Sequence, residues 1–268
     1  KQIWMSSVLF MNDYSEQTWF LEKARRRLND LLQTQDRDYI TNSIENFDVL
    51  GQTAYACCFS AKGDVLSQWR AYADDGAGFA LGFSSRWLQE QKQKYRPANA
   101  IDIWAVQYED EEQLNCLDRF IRDYLARVHQ ASAHPEQGSE VWQRNIREAG
   151  QNALGRIWAV SAVCKNHGFR EEEEWRLFTT VPHHPADANV DPSDRGIGLK
   201  VCFRASRRGI IPYFAVPFPE AAIAEIWLGP GNYARKRQDE LKAFLSANGY
   251  DVGRMTIGLS ETTYGHPF

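Results

Sequence analysis

The order of the periodic segments restricts the fold more than any other feature. Residues 111–165 carry two long helical patterns in succession, and from residue 171 onward the chain reads mostly as strands. In the first pattern Leu114, Leu117, Ile121, Tyr124, Leu125 and Val128 fall on one side of a helix. In the second, Trp142, Ile146, Ala149, Ala153 and Ile157 do the same. The "ASAHPEQG" between them breaks both patterns, which predicts an antiparallel helical hairpin. After it, "EEEEWRLFTTV", "GIGLKVCFR", "IIPYFAVPF" and "IAEIWLGP" have the β-branched and aromatic content of half-buried sheet. Strands that do not alternate with helices argue against a doubly wound sheet. The expected fold is one α+β domain over residues 1–268 with a mixed or antiparallel central sheet and flanking helices. Its strands should lie near 54–59, 78–83, 101–108, 174–181, 199–204, 212–217 and 223–228, with the hairpin of about 111–165 inserted to one side.

The remaining segments fit this plan. "NDYSEQTWFLEKARRRLNDLLQ" predicts a helix with Asp13 and Glu16 at capping-box spacing and a stripe of Phe20, Ala24, Leu28, Leu31 and Leu32. A second short helix is predicted over Tyr39 to Phe47, and a last one over "ARKRQDELKAFLSAN", with Asn232 near its start and Gly249 as its cap. Hydrophobic residues make up 43% and charged residues 25% of the chain, the balance of a globular domain. A net charge of -4 argues against general coating of nucleic acid. No apolar run approaches the ~20 residues that cross a bilayer, so no membrane is expected. Cys57, Cys58, Cys116, Cys164 and Cys202 are scattered and show no CxxC spacing, which reads as core thiols in a reducing cytoplasm.

Two glycine-rich turns invite a phosphate-binding reading. In "LSQWRAYADDGAGFALGF", residues 66–83, the apolar strand follows the glycines instead of preceding them, so the order of a dinucleotide fingerprint is inverted. "DDGAG" is therefore expected to be a tight turn in which Gly76 or Gly78 supplies positive φ. "LGPGNYARKRQ" has the order strand, turn, helix, but lacks the Lys and Ser/Thr of a P-loop. The loop "DANVDPSDRGIG" imitates a calcium loop with Asp187, Asn189 and Asp191. Pro192 stands where that loop needs Gly, and Gly198 where it needs a bidentate Glu. His183 and His184 have no third ligand at fixed spacing, so no metal is expected.

"FREEEEWRLF" carries more information. Four successive carboxylates repel one another, yet the run leads directly into a strand with Trp175, Arg176, Leu177 and Phe178. Glu172 or Glu174 is then held at the edge or end of the sheet, either locked to Arg70 or Arg176 or available to a ligand hydroxyl. Trp69 is expected to be buried and Arg70 partly buried against a carboxylate. Trp and Tyr beside Arg favour a flat anionic ligand such as a nucleotide.

"IWMSSVLFMNDYSE", "CFS" at 58–60, "LSQWRAYADDGAGFALGF", "KNHGFREEEEWRLF" and "IAEIWLGPGN" together resemble the bacterial domain of unknown function 2971 family over essentially the whole chain. That resemblance implies a preceding tyrosine-containing strand and helix, expected to be absent ahead of Lys1. At the level of layout, the order of a Ser-bearing strand and a late Glu leading a strand is similar to the ADP-ribosyltransferases. By that likeness Ser6 or Ser7 would support the nicotinamide ribose of NAD as co-substrate. Glu172 or Glu174 would bond its hydroxyl as the catalytic carboxylate. Trp69, Arg70, Tyr72 and Arg176 would line the substrate cleft. Two other readings stand beside it. One is a non-catalytic ligand- or nucleic-acid-sensing module, as in a bacterial defence system, with Arg25, Arg26, Arg27, Arg207 and Arg208 as a basic face. The other is a metal-dependent nuclease or hydrolase using Asp74, Asp75 and Glu172.

Overall fold

The structure is a computed structural model that describes residues 1–11, 16–31, 52–94, 101–132, 139–182, 199–231 and 234–264. In chain order, strand β1 spans Gln2–Ser7, helix α1 Glu16–Leu31, β2 Gln52–Ser60, α2 Leu66–Tyr72, β3 Phe79–Phe83, α3 Ser85–Lys94 and β4 Asp102–Ala105. Helices α4 (Asp110–Ser132) and α5 (Glu140–Ser161) follow. The rest is β5 (Glu174–Pro182), β6 (Val201–Ser206), β7 (Gly209–Pro217), β8 (Ile223–Leu228), α6 (Ala234–Ala247) and β9 (Thr256–Leu259). The α+β expectation holds. The predicted helix over Tyr39 to Phe47, Asp13 in the predicted capping box, Asn232, and the His183 to Gly196 loop lie outside the described residues.

The strands form two sheets instead of the single sheet expected. Six run in the order β4-β5-β2-β1-β7-β6, with every pairing antiparallel. The strands predicted near 78–83 and 223–228 are real but leave this sheet. As β3 and β8 they pair antiparallel with each other, and β8 takes β9 as a parallel neighbour. Alternation identifies a strand and its apolar face, while its partner is chosen by packing against the rest of the chain. Here an aromatic group joins the two sheets. Phe83 lies edge-on to Phe59 and Phe218 and 5.5 Å from Trp87, so the small sheet and the large one share an apolar layer.

The period of two sorts the large sheet into two unlike faces. Met5, Tyr55, Leu177, Val181, Phe214 and Val216 point to one of them, where Trp87 and Leu88 of α3 seal the core. On the opposite face, Trp4 and Ser6 of β1 align with Ala56 and Cys58 of β2 and with Glu174 and Arg176 of β5. The predicted hairpin forms as α4 and α5, which pack with α1 through Phe20, Leu28, Leu117, Ile121, Tyr124, Ala153 and Ile157. Fully burying each large side chain of this set contributes roughly 1.5–3 kcal/mol. Just past α5, Ala162 and Val163 close against Val8, Ala54, Ala56 and Phe178, so the helices cover only part of the second face.

"DDGAG" is a tight turn, as its residue types predict. Gly76 has φ +88°, and Asp74 and Asp75 join it in the left-handed region at 49° and 52°. The two glycine-rich turns then bond each other. Gly229 N–H donates to the Gly78 carbonyl at 3.0 Å and Gly231 N–H to the Gly76 carbonyl at 3.2 Å. Amides used in this way are not presented to a phosphate.

Candidate functional site

The uncovered part of the second sheet face is the floor of a cavity of about 490 Å³. Ser6 on β1, Tyr72 at the end of α2, Glu172 just before β5, and Glu174 and Arg176 at the start of β5 all line it. Five side chains singled out in the sequence, separated by up to 170 positions, therefore meet around one space. Lys165, Arg204, Trp4, Cys58, Phe10 and Gln68 also face it. Its volume falls within the roughly 300–1,000 Å³ of small-molecule sites.

The carboxylates of "EEEE" separate because the backbone turns sharply beneath them. A 3-10 segment over His167–Glu172 ends at Glu173, whose φ of 41° is left-handed. Each acid then meets its own partner. Glu171 accepts from the Ser67 hydroxyl at 3.0 Å, Glu173 pairs with Lys62, and Glu172 Oε2 binds Lys165 Nζ at 2.5 Å.

Glu174 is held most firmly of the four. Arg176 Nε and Nη2 donate to its two oxygens at 2.8 and 3.0 Å, and Lys165 Nζ approaches at 3.1 Å. Arg176 also donates through Nη1 to the Ala162 carbonyl at 2.5 Å, tying the end of the helical hairpin to the sheet. The Glu174 N–H donates to the Tyr108 hydroxyl at 3.0 Å. Burial opposes the charge on Glu174. The Arg176 guanidinium, by its charge and its hydrogen bonds, and then Lys165 outweigh that, holding the carboxyl down to about 2. Cys58 is exposed as a residue, but local desolvation and the adjacent Glu174 carboxylate push its thiol well above the ordinary range. It therefore sits in the cavity as a thiol, a weak nucleophile.

Arg204 supplies a second guanidinium from the edge strand β6. It lies over the Trp4 ring at 5.6 Å, and its Nη2 reaches Ser6 Oγ at 3.4 Å. Its Nε is buried and has no hydrogen-bond partner among the described residues. Lys165 and Arg204 were not singled out from the sequence. For Arg204 a faint signal existed, since in "VCFR" it alternates away from Val201 and Phe203. Lys165 stands in "KNHGF" with no local pattern at all.

The other expected site residues go elsewhere. Ser7, one step along β1 from Ser6, faces the opposite way and is buried, and it does not line the cavity. Trp69 is buried as expected, but within α2 and away from the cavity, with Nε1 donating to Asp64 at 2.6 Å. Arg70 is exposed instead of half-buried beside a carboxylate, and lies over the Tyr264 ring at 5.7 Å. Helical spacing explains this. With Trp69 turned inward, its immediate neighbour must turn away. Asp74 and Asp75 are exposed in their turn, where Asp75 accepts from Tyr264, so they do not join Glu172. The expected basic face is divided as well. Arg27 binds Asp118 of α4, and Arg208 bonds the carbonyls of Phe10 and Met11.

Residues 68–177 match the family model described as Protein of unknown function (DUF2971). The match is narrower than the resemblance drawn from the whole chain. It runs from α2 into β5 and includes Tyr72, Lys165, Glu172, Glu174 and Arg176. Trp4, Ser6 and Arg204 lie outside it. No curated protein and no solved structure matches the chain. Among the described residues no group of three or more His, Cys, Asp or Glu side chains is arranged to hold a metal ion. Nor is any described helix long and apolar enough to cross a membrane.

Proposed function

We propose that this cavity binds a small, flat, anionic ligand of the nucleotide class. The observation that carries the reading is the convergence of Lys165, Arg176 and Arg204 with Trp4 and Tyr72 around one space, against two carboxylates among the described residues, Glu172 and Glu174. Arg176 is neutralised by Glu174 and Lys165 is shared by both acids, which leaves Arg204, among the described residues, as the cavity cation without a carboxylate partner. Aromatic side chains supply surface for a base, and a guanidinium supplies a planar pair of donors for an anion.

The test is thermal denaturation of the protein with adenosine 5′-monophosphate, ATP and NAD, since a ligand that binds only the folded state raises Tm. Tyr72 is 61% exposed, so Tyr72→Ala should leave the unliganded Tm nearly unchanged while reducing the ligand-induced rise. Absence of any rise with all three nucleotides would refute the reading.

A second reading, NAD-dependent transfer of ADP-ribose, is favoured by Ser6 and Glu172 lining the same cavity. In it the ribose C1′–nitrogen bond breaks and nicotinamide leaves with the electron pair, a carboxylate stabilises the positive charge developing on the ribose, and an oxygen or nitrogen nucleophile of the acceptor, or water, bonds C1′ and releases its proton to solvent. Glu172 suits that role better than Glu174, whose two oxygens are both engaged by Arg176. Nicotinamide released by the wild type and lost in Glu172→Gln at unchanged Tm would support it. No nicotinamide release by the wild type would leave the cavity a binding site alone.

A further inference from the structure

The charged groups of the cavity divide between its two ends, and only one end is internally paired among the described residues. Arg204 starts on β6 and reaches over β7 to Ser6 on β1. Glu174 and Arg176 belong to β5, which is separated from β1 by β2. Neighbouring strands lie about 4.8 Å apart, so β1 and β5 are separated by roughly 10 Å. Between them, Ala56, Cys58 and Ser60 of β2 form a floor of small side chains. One end of the space thus presents the Arg204 guanidinium and a hydroxyl, and the other presents Glu172 and Glu174 with Lys165 and Arg176, whose charges offset one another.

The two guanidiniums are not equivalent. Arg176 is bound on both sides by Glu174 and on a third by the Ala162 carbonyl. Arg204 has no carboxylate partner among the described residues, and its buried Nε is unsatisfied. Stacking on Trp4 restricts its plane, and a restricted fork of donors loses less entropy when it closes on two phosphate oxygens. At the opposite end Glu172 binds Lys165 through Oε2, and its Oε1 has no hydrogen-bond partner among the described residues. A carboxylate is an acceptor only, which suits it to sugar hydroxyls and not to phosphate.

Resting on the nucleotide reading above, we propose that Arg204 is the phosphate grip of the cavity. A nucleoside 5′-monophosphate would place its phosphate over β1, between Arg204 and Ser6, and its ribose hydroxyls toward Glu172.

The experiment is titration calorimetry on the full chain with adenosine 5′-monophosphate, adenosine and inorganic phosphate, for the wild type, Arg204→Gln, Arg204→Lys and Glu172→Gln. A charged hydrogen bond of the usual strength predicts that Arg204→Gln weakens the monophosphate by about tenfold to a hundredfold. Adenosine affinity should not change in that variant. Arg204→Lys keeps the charge but not the fork, so a smaller loss is expected. Glu172→Gln should weaken adenosine and the monophosphate alike.

Equal monophosphate affinity in wild type and Arg204→Gln would overturn the grip while leaving the nucleotide reading intact. If nucleotides fail to bind, but inorganic phosphate stabilises the wild type and not Arg204→Gln, the grip stands and the nucleotide reading falls. If neither nucleotide nor phosphate binds, both fall. Should Arg204→Gln not fold, Arg204→Lys decides: an unchanged monophosphate affinity overturns the proposal.

Discussion

Arg176 closes on Glu174 from two residues along the same strand, with Nε 2.8 Å from Oε1 and Nη2 3.0 Å from Oε2. Both side chains are almost fully buried, so each charge depends on the other for its solvation. Glu174→Gln leaves Arg176 charged in a dry setting and is expected to destabilise the fold by about 3–5 kcal/mol. The double replacement Glu174→Leu with Arg176→Met should recover much of that loss, because neither charge remains. Urea denaturation of the two variants measures both values. An unchanged stability in Glu174→Gln would mean that the pair does not hold the fold.

The same pair makes stability depend on acid. The Glu174 carboxyl is held at about 2, below its ordinary 4.5, so the folded state binds the proton less readily than the unfolded chain. Its contribution is fully present above pH 4.5 and is lost as pH falls toward 2. The gap in unfolding free energy between wild type and Glu174→Gln should be constant above that window and narrow within it. Denaturation curves recorded across the window test this, and a gap independent of pH would contradict it.

Asp64 gathers the C-terminal segment onto α2. It accepts from Trp69 Nε1 at 2.6 Å, Ser260 Oγ at 2.5 Å, the Glu261 N–H at 2.7 Å and Thr262 Oγ1 at 3.3 Å. Asp64→Ala leaves the buried indole N–H without its acceptor and frees the segment after β9. A loss of about 2–3 kcal/mol is expected, as for hydrogen bonds to a charged group. Limited proteolysis should cut near residues 260–264 sooner in the variant. Cleavage at the wild-type rate would show that the segment is held by something else.

Gly229 sits where the two glycine-rich turns meet. A Cβ there would lie 2.2 Å from the Gly76 carbonyl oxygen, a backbone atom fixed by its own turn. Gly229→Ala should therefore destabilise the joint by about 1–3 kcal/mol, in the range of an overpacked core. Nucleotide affinity should be retained, since neither turn lines the cavity. A thermal melt reports the first effect and calorimetry the second. A variant with wild-type Tm would mean that the turns can separate at little cost.

Much of the fold was legible in the sequence because it depends on local periodicity. The stripe of Leu117, Ile121 and Tyr124, the alternation through "WRLFTTV" and the left-handed demand at Gly76 each specify an element within a few residues. Ser6, Tyr72, Glu172, Glu174 and Arg176 were visible as candidates because polar groups in aromatic, strand-forming surroundings need a partner or a cavity. Two outcomes turned on one step of rotation. Of the alternatives Ser6 and Ser7, one position apart on a strand, Ser6 is the one that lines the cavity, and Arg70, one position from Trp69 on a helix, is exposed where partial burial was expected.

The sequence alone determined which segments are helices and which are strands, since propensity and period act over a few residues. Only the tertiary structure decided which strands share a sheet, and that Glu174 would be neutralised from within its own strand. It also decided that Lys165 and Arg204, 39 positions apart, would face the same cavity. Those outcomes depend on distances set by long-range packing. Phe83 against Phe218 packs the end of β3 beside the large sheet, and the closure of Ala162 and Val163 over Ala56 covers part of the sheet's second face. Such contacts leave no period in the chain, because the residues that make them are neighbours only after it has folded.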